Sequence, residues 1–205
     1  MGGLILKTLI VVALLIILFL INFYRDPKRK IPQGNNIISP ADGKVMNILK
    51  VNKDKVKIKK GRLGKIQTFT KDIAKECYVI SVFMNPFDVH VNRAPIEGSI
   101  ELVKHTKGKF FAAFNIEKSL YNEKNEIVIK NKKAGKIKVI QIAGWLARRI
   151  ICKVKVKEKV NKGQRIGKIV LGSQVTIIID AKKVNLRVKK GQKVKAGSSI
   201  IAELK

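Results

Sequence analysis

Hydrophobic positions follow two rhythms along this chain. Leu9 to Ile21 is an unbroken apolar run, extended by Leu4 to Leu6 ahead of Lys7 and Thr8, and by Phe23 and Tyr24 behind it. A helix from Leu4 to Tyr24 is about long enough to cross a bilayer once. Lys7 can snorkel to one interface and Tyr24 suits the other. A secretory signal peptide shares such a run, but no small-x-small cleavage site follows this one. Residues 1–24 are therefore expected to form a transmembrane anchor.

After the anchor the period drops to two. Lys55-Val56-Lys57-Ile58-Lys59 and Cys152-Lys153-Val154-Lys155-Val156-Lys157 alternate as half-buried strands do. Strands are expected at Lys44–Val51, Lys55–Lys59, Cys77–Met84, Ser99–Val103, Glu126–Lys130, Lys136–Ile142, Ile150–Val156, Ile166–Leu171, Val175–Ile179, Val184–Val188 and Ser199–Glu203, with Gly, Asn and Asp between them. Helical turns are expected only around Thr70–Lys75 and Trp145–Arg149. Residues 25–36, with two prolines and a glycine, read as a basic linker, and 37–205 as one compact β domain. The fold class is thus mainly β, behind a single transmembrane helix. Val160-Asn161-Lys162-Gly163-Gln164-Arg165-Ile166 is echoed by Val188-Lys189-Lys190-Gly191-Gln192-Lys193-Val194. Both resemble the hairpin turns of lipoyl and biotinyl carrier domains. A carrier needs a modifiable lysine at a hairpin tip, and Asp180-Ala181-Lys182 is the nearest approach, so the repeat reads as architecture.

Charge narrows the partners. Lys and Arg number 44 against 14 Asp and Glu, a formal net charge of +30. Much of the lysine solubilises outer strand faces and guards sheet edges. Arg25, Lys28, Arg29 and Lys30 follow the anchor, against Lys7 and the amino terminus before it. The positive-inside rule then places the domain on the cytoplasmic side of the cell membrane, and the same collar suits anionic lipid. Aromatic residues make up only 6% of the chain, and no stacking motif for single strands is present, which argues against nucleic acid. Cys77 and Cys152 have no metal-like neighbours and read as free thiols in a reducing compartment, with no metal site expected.

Three segments carry candidate chemistry. Ser39-Pro40-Ala41-Asp42-Gly43-Lys44-Val45 contains an Asp-Gly pair that alone would be a turn. Asp88-Val89-His90-Val91-Asn92-Arg93-Ala94-Pro95 holds one of only two histidines, the other being His105. Leu171-Gly172-Ser173-Gln174-Val175 places a small pair between apolar strands, as a bulge would. Together Asp, His and Ser are the parts of a nucleophile-activating triad.

These segments, in this order, resemble the phosphatidylserine decarboxylase family, and most closely its short form, which includes the archaetidylserine decarboxylases. The likeness covers nearly the whole chain. It also takes in Phe23-Tyr24-Arg25-Asp26-Pro27 after the anchor and Gln141-Ile142-Ala143-Gly144 followed by Ala147-Arg148-Arg149-Ile150. The resemblance implies a proenzyme that cuts itself between Gly172 and Ser173. Ser173 would attack the Gly172 carbonyl, then become a covalent pyruvoyl group that forms a Schiff base with the substrate amine. His90 would be the general base and acid, with Asp42 orienting it. The substrate would be an aminophospholipid, archaetidylserine or phosphatidylserine, decarboxylated to the ethanolamine head group. Chains 1–172 and 173–205 would stay associated, and a homodimer of such pairs is implied.

Larger relatives carry a second histidine three positions after the first. This chain has Arg93 there, so either His90 serves both self-cleavage and decarboxylation, or His105 or Asp88 shares the work. Arg148 and Arg149 are candidates for the lipid phosphate, although simple surface exposure accounts for them as well. A membrane-anchored, lipoyl-like adaptor without catalysis explains the anchor and the repeated turns, but not the Asp42, His90 and Ser173 segments.

Overall fold

The computed structural model describes residues 2–52, 55–59, 65–70, 72–107, 123–143, 149–170 and 173–205, with backbone alone for 55–59, 65–69 and 173. One helix, α1 (Gly2–Tyr24), leads sixteen strands among the described residues. They are β1 (Asn36–Ile38), β2 (Gly43–Val51), β3 (Lys55–Lys59), β4 (Lys65–Phe69), β5 (Cys77–Met84), β6 (Val91–Arg93), β7 (Gly98–Thr106), β8 (Lys124–Asn131), β9 (Gly135–Ile142), β10 (Arg149–Cys152), β11 (Lys159–Val160), β12 (Arg165–Val170), β13 (Ser173–Asp180), β14 (Val184–Leu186), β15 (Lys193–Val194) and β16 (Ile200–Leu204).

Apolar side chains cover every face of α1, and nearly all are exposed; only Phe23, at its end, is buried. A helix apolar all round has no polar face to give to water, and its 23 residues suffice to cross a membrane. It stops at Tyr24 because Pro27 lacks an N–H and disfavours helical geometry at Asp26.

The main sheet is antiparallel, in the order β11-β7-β8-β9-β13-β5-β2-β15. Its central strands β9, β13 and β5 are apolar on both faces. One face packs into the large core with Val45, Ile80, Ile127, Val139 and Ile177; the other forms a smaller cluster of Cys77, Val79, Ile140, Ile142 and Ile178. Flanking strands such as β7 put lysine and glutamate outward instead. Smaller sheets, β10-β12-β6 and β1-β16-β14, close over the large core.

The expected strands are present, several longer at their ends, while β1, β4, β6, β11 and β15 add to them. The expected Ile150–Val156 strand stops at Cys152, and Arg149 begins a strand where a helical turn was expected. Residues 145–148 of that expected turn lie outside the described residues. Around Thr70 a single turn closes through the Ile73 and Ala74 amides on the Thr70 carbonyl.

The two similar segments adopt the same turn. Gly163 and Gly191 have φ of 82° and 88°, a region open to glycine. Gln164 and Gln192 each accept, through the side-chain oxygen, the amide of the residue three before, Asn161 and Lys189. Each turn also brackets another segment through paired backbone bonds, the first around Ala94 and the second around Val45. The repeat therefore fixes the two motifs that hold His90 and Asp42.

Residues 25–36 are laid into the domain rather than strung outside it. Arg25 reaches the Phe87 carbonyl, Arg29 binds Asp42, and Asp26 takes both Arg93 and Arg165. Ile31 seats on Gly163, where any Cβ would collide with it, and beside Gly197, where a Cβ would collide with Arg93. Of the basic collar, Arg25 and Arg29 spend their guanidiniums on protein; Lys28 and Lys30 stay exposed.

Candidate active site

The site lies where β5, β6, β12 and β13 meet. β5 ends at Met84, and the chain turns through Asn85–Asp88, closed by the Asp88 amide on the Asn85 carbonyl and the Asn85 amide on an Asp88 carboxylate oxygen. Val89 and His90 follow, entering β6. The His90 carbonyl accepts the Ile169 amide of β12 at 3.2 Å. Four residues later the chain is at Ser173, whose backbone opposes Met84 in the β13–β5 ladder. Four residues span at most about 14 Å, so the Ser173 backbone cannot lie far from His90. Gly172 lies outside the described residues.

His90 is fully buried. Its Nδ1 is 2.8 Å from the Asp88 carbonyl oxygen. A carbonyl only accepts, so Nδ1 carries the proton and Nε2 of the neutral ring presents a lone pair. Nε2 is buried and has no hydrogen-bond partner among the described residues. The Phe23 ring tilts over the imidazole with centroids 4.3 Å apart. Burial holds the His90 pKa below the ordinary imidazole value; the Asp88 carbonyl and carboxylate oppose that shift, and Lys168 and Arg25 reinforce it. The result is a neutral base with a fixed tautomer and an unused acceptor, the state a general base requires.

Asp42 is placed differently. Its carboxylate accepts Arg29 on both oxygens, at 3.0 and 2.8 Å, and the Ala196 amide at 2.7 Å. It makes no hydrogen bond to His90; the group on Nδ1 is the Asp88 backbone. Arg29 in turn belongs to the segment that ends the anchor, whose Phe23 covers His90.

The remaining candidates separate. Arg149 is exposed, and its backbone opposes Val170, three residues before Ser173; Arg148 lies outside the described residues. Arg93 is buried and donates to the Gly163 carbonyl, to Asp26 and to the Pro27 carbonyl. Guanidinium stays protonated, so Arg93 is a clamp for the post-anchor segment and not a proton carrier. His105 sits on β7, largely exposed, 3.3 Å from Glu123. Cys77 and Cys152 are free thiols, and burial pushes Cys77 up to about 11.

A buried amide chain was not anticipated. Gln141 donates to Asn92 at 2.8 Å and accepts from Asn125 at 2.9 Å, all three fully buried. Gly167 packs so closely on Gln141 that a Cβ would lie 2.6 Å from its Nε2. This joins the Gln141 motif to the His90 motif, while the Arg93 amide on the Pro40 carbonyl joins the His90 motif to that of Asp42. A run of three amides at strand positions that should be apolar was the available signal.

Comparison with known proteins agrees with this geometry. The profile of the phosphatidylserine decarboxylase family matches residues 16–202. A protein of Methanocaldococcus jannaschii, provisionally named archaetidylserine decarboxylase proenzyme, is 45% identical over 91% of this chain and 90% of its own length. A phosphatidylserine decarboxylase proenzyme of Carboxydothermus hydrogenoformans is 40% identical over 100% of this chain and 89% of its own. One from Chlorobaculum tepidum is 37% identical over 98% and 84%. The match runs over nearly the whole chain, and the chain belongs to the phosphatidylserine decarboxylase family of proenzymes.

Proposed function

We propose that the chain cuts itself between Gly172 and Ser173 and then removes CO2 from the serine head group of a membrane phospholipid, archaetidylserine or phosphatidylserine. The observation that carries this reading is His90: a buried, tautomer-fixed imidazole whose Nε2 has no partner among the described residues, its carbonyl bonded to Ile169, four residues before Ser173.

Nε2 takes the Ser173 hydroxyl proton as the oxygen attacks the Gly172 carbonyl. The carbon–nitrogen bond breaks, the amine of residue 173 takes a proton, and an ester joins Gly172 to the serine oxygen. Loss of the Ser173 α-proton expels the Gly172 carboxylate; the resulting enamine takes up water and releases ammonia. The residues fit such a group: Nε2 has no partner among the described residues, near the start of β13 and under the Phe23 ring. The pyruvoyl group supplies a carbonyl that accepts the electrons left when the carboxylate departs. His90 then holds the proton that returns to the substrate carbon. Asp42 acts on His90 through the segment it clamps, by way of Arg29, and Arg149 stands exposed opposite Val170, three residues before Ser173.

Association of the products has structural support. β13 lies between β9 and β5, and β16 between β1 and β14, so residues 173–205 are threaded through two sheets. The anchor helix and the charge that follows it support a membrane protein with a cytoplasmic domain. Intact mass of detergent-purified protein, together with lipid analysis after incubation, tests the reading. A chain ending at Gly172, a pyruvoyl-blocked partner and new ethanolamine lipid are expected; an uncut chain with unchanged serine lipid would overturn it.

A further inference from the structure

Lys168 is a cation that the catalytic proposal leaves unused. It lies on β12 with its backbone opposite Val91, the residue after His90, and its ammonium stands 4.0 Å from the centre of the Tyr24 ring and 5.7 Å from that of Phe23. The same Phe23 ring covers His90. The nearby acid, Asp26, is occupied by Arg93 and Arg165. Arg25 and Arg29 are occupied by the Phe87 carbonyl and Asp42. Lys168 makes no hydrogen bond or ion pair among the described residues. A cation over an aromatic face gains electrostatic attraction but fills none of its N–H donors. Three donors are therefore held at one spot, partly desolvated, beside the base.

Depth supports the same assignment. Tyr24 ends the apolar helix, and a tyrosine there lies at head-group level. An ammonium resting on that ring lies at the depth of lipid phosphate. In a serine phospholipid only one oxygen and one methylene separate the phosphorus from the carbon that bears the amine and carboxylate. A phosphate held at Lys168 would present that carbon toward His90 and the start of β13. We propose that the Lys168 ammonium, seated on the Tyr24 ring at the end of the anchor, binds the phosphodiester of the lipid substrate's head group. The proposal rests on the chain being a serine-phospholipid decarboxylase. It makes the end of the anchor one wall of the substrate site rather than a tether.

The test compares full-length, detergent-purified wild type with K168Q and K168R. Intact mass comes first: K168Q is expected to be cut like wild type, and an uncut K168Q would show a role in folding or self-processing and overturn the proposal. The second measurement is the Kd of glycerophosphoethanolamine, which has the phosphodiester and no carboxylate to lose. A charged hydrogen bond to phosphate predicts a rise of roughly ten- to a hundredfold in K168Q, largely restored in K168R. The third is turnover of serine phospholipid in neutral mixed micelles, where K168Q should raise KM by a similar factor with little change in kcat. Unchanged Kd and KM in K168Q would overturn the proposal. So would weaker flotation of K168Q on anionic vesicles with both constants unchanged, which marks a general membrane contact. If wild type itself turns over no serine phospholipid, the enzymatic reading fails, independently of Lys168.

Discussion

Asp42 and His90 sit in neighbouring motifs, both buried, and the structure treats them in opposite ways. Both carboxylate oxygens of Asp42 are paired, by a guanidinium and a backbone amide. His90 is held by one nitrogen, and the other has no hydrogen-bond partner among the described residues. A buried polar atom without a partner is costly, so it persists where function requires it. A buried carboxylate paired on both oxygens suits a structural joint. On the proposed reading, the contrast separates the group that acts, His90, from one that holds the framework, Asp42.

Removing His90 should break the contrast most completely. H90A is expected to leave a single uncut chain, because a positioned base contributes roughly 10²–10⁴ in rate; the mass spectrum after prolonged incubation reads this directly. Efficient cutting in H90A would assign the proton to another group.

D42A should instead be a stability variant. It leaves Arg29 buried without its counter-charge, a loss of about 3–5 kcal/mol for breaking a buried pair from one side. A lower Tm with slowed but continuing cleavage is expected. R29M should reproduce both effects, and the double variant should be little worse than either single one. If D42A stops cleavage at full thermal stability, Asp42 acts on the chemistry directly.

F23A sharpens the His90 side. Opening the ring's cover admits water, relieves the desolvation that keeps the imidazole neutral, and moves its pKa back up toward the ordinary value. Cleavage of F23A should lose rate on the acid side first, which a pH series on gels can follow.

The smallest effect is the pH dependence of wild type. Because burial lowers the His90 pKa, its base form should survive below the ordinary imidazole value of 6.5, so the acid limb of self-cleavage should lie below that point. The linkage has the same sign. As pH falls through 6.5 the unfolded chain takes up this proton before the folded one does, so His90's contribution to stability is present above 6.5 and lost below it. A cleavage limb centred above 6.5 would contradict the burial of His90.

Local pattern was sufficient for many elements. The apolar run at Cys77–Met84 and the period-two run at Lys55–Lys59 match β5 and β3 at both ends, since apolar pattern and turn residues act over a few positions. The short strands β6, β11 and β15 were not legible, because two or three residues carry no period; they pair only after β12, β7 and β2 are in place. At the site, His90 and Ser173 stood out as residue types in recognisable segments, whereas the partner of Asp42 did not. Asp42 was read as the group that orients His90, because that is its part in a triad, yet its partners are Arg29 and an amide 154 residues away. No local rule reaches that far.

The sequence by itself determined the apolar helix, the β class, the order of the motifs and the family they belong to. Those follow from side-chain chemistry at short spacing and from lineage. Tertiary structure alone decided that residues 25–36 are knitted into the domain, that Arg93 is a clamp, that Gln141 ties two motifs together, and that Phe23 covers His90 with Lys168 near the same ring. Each of these depends on where a distant backbone places a donor, an acceptor or a ring. A hydrogen bond or an ion pair is made over about 3 Å in space, whatever the separation along the chain.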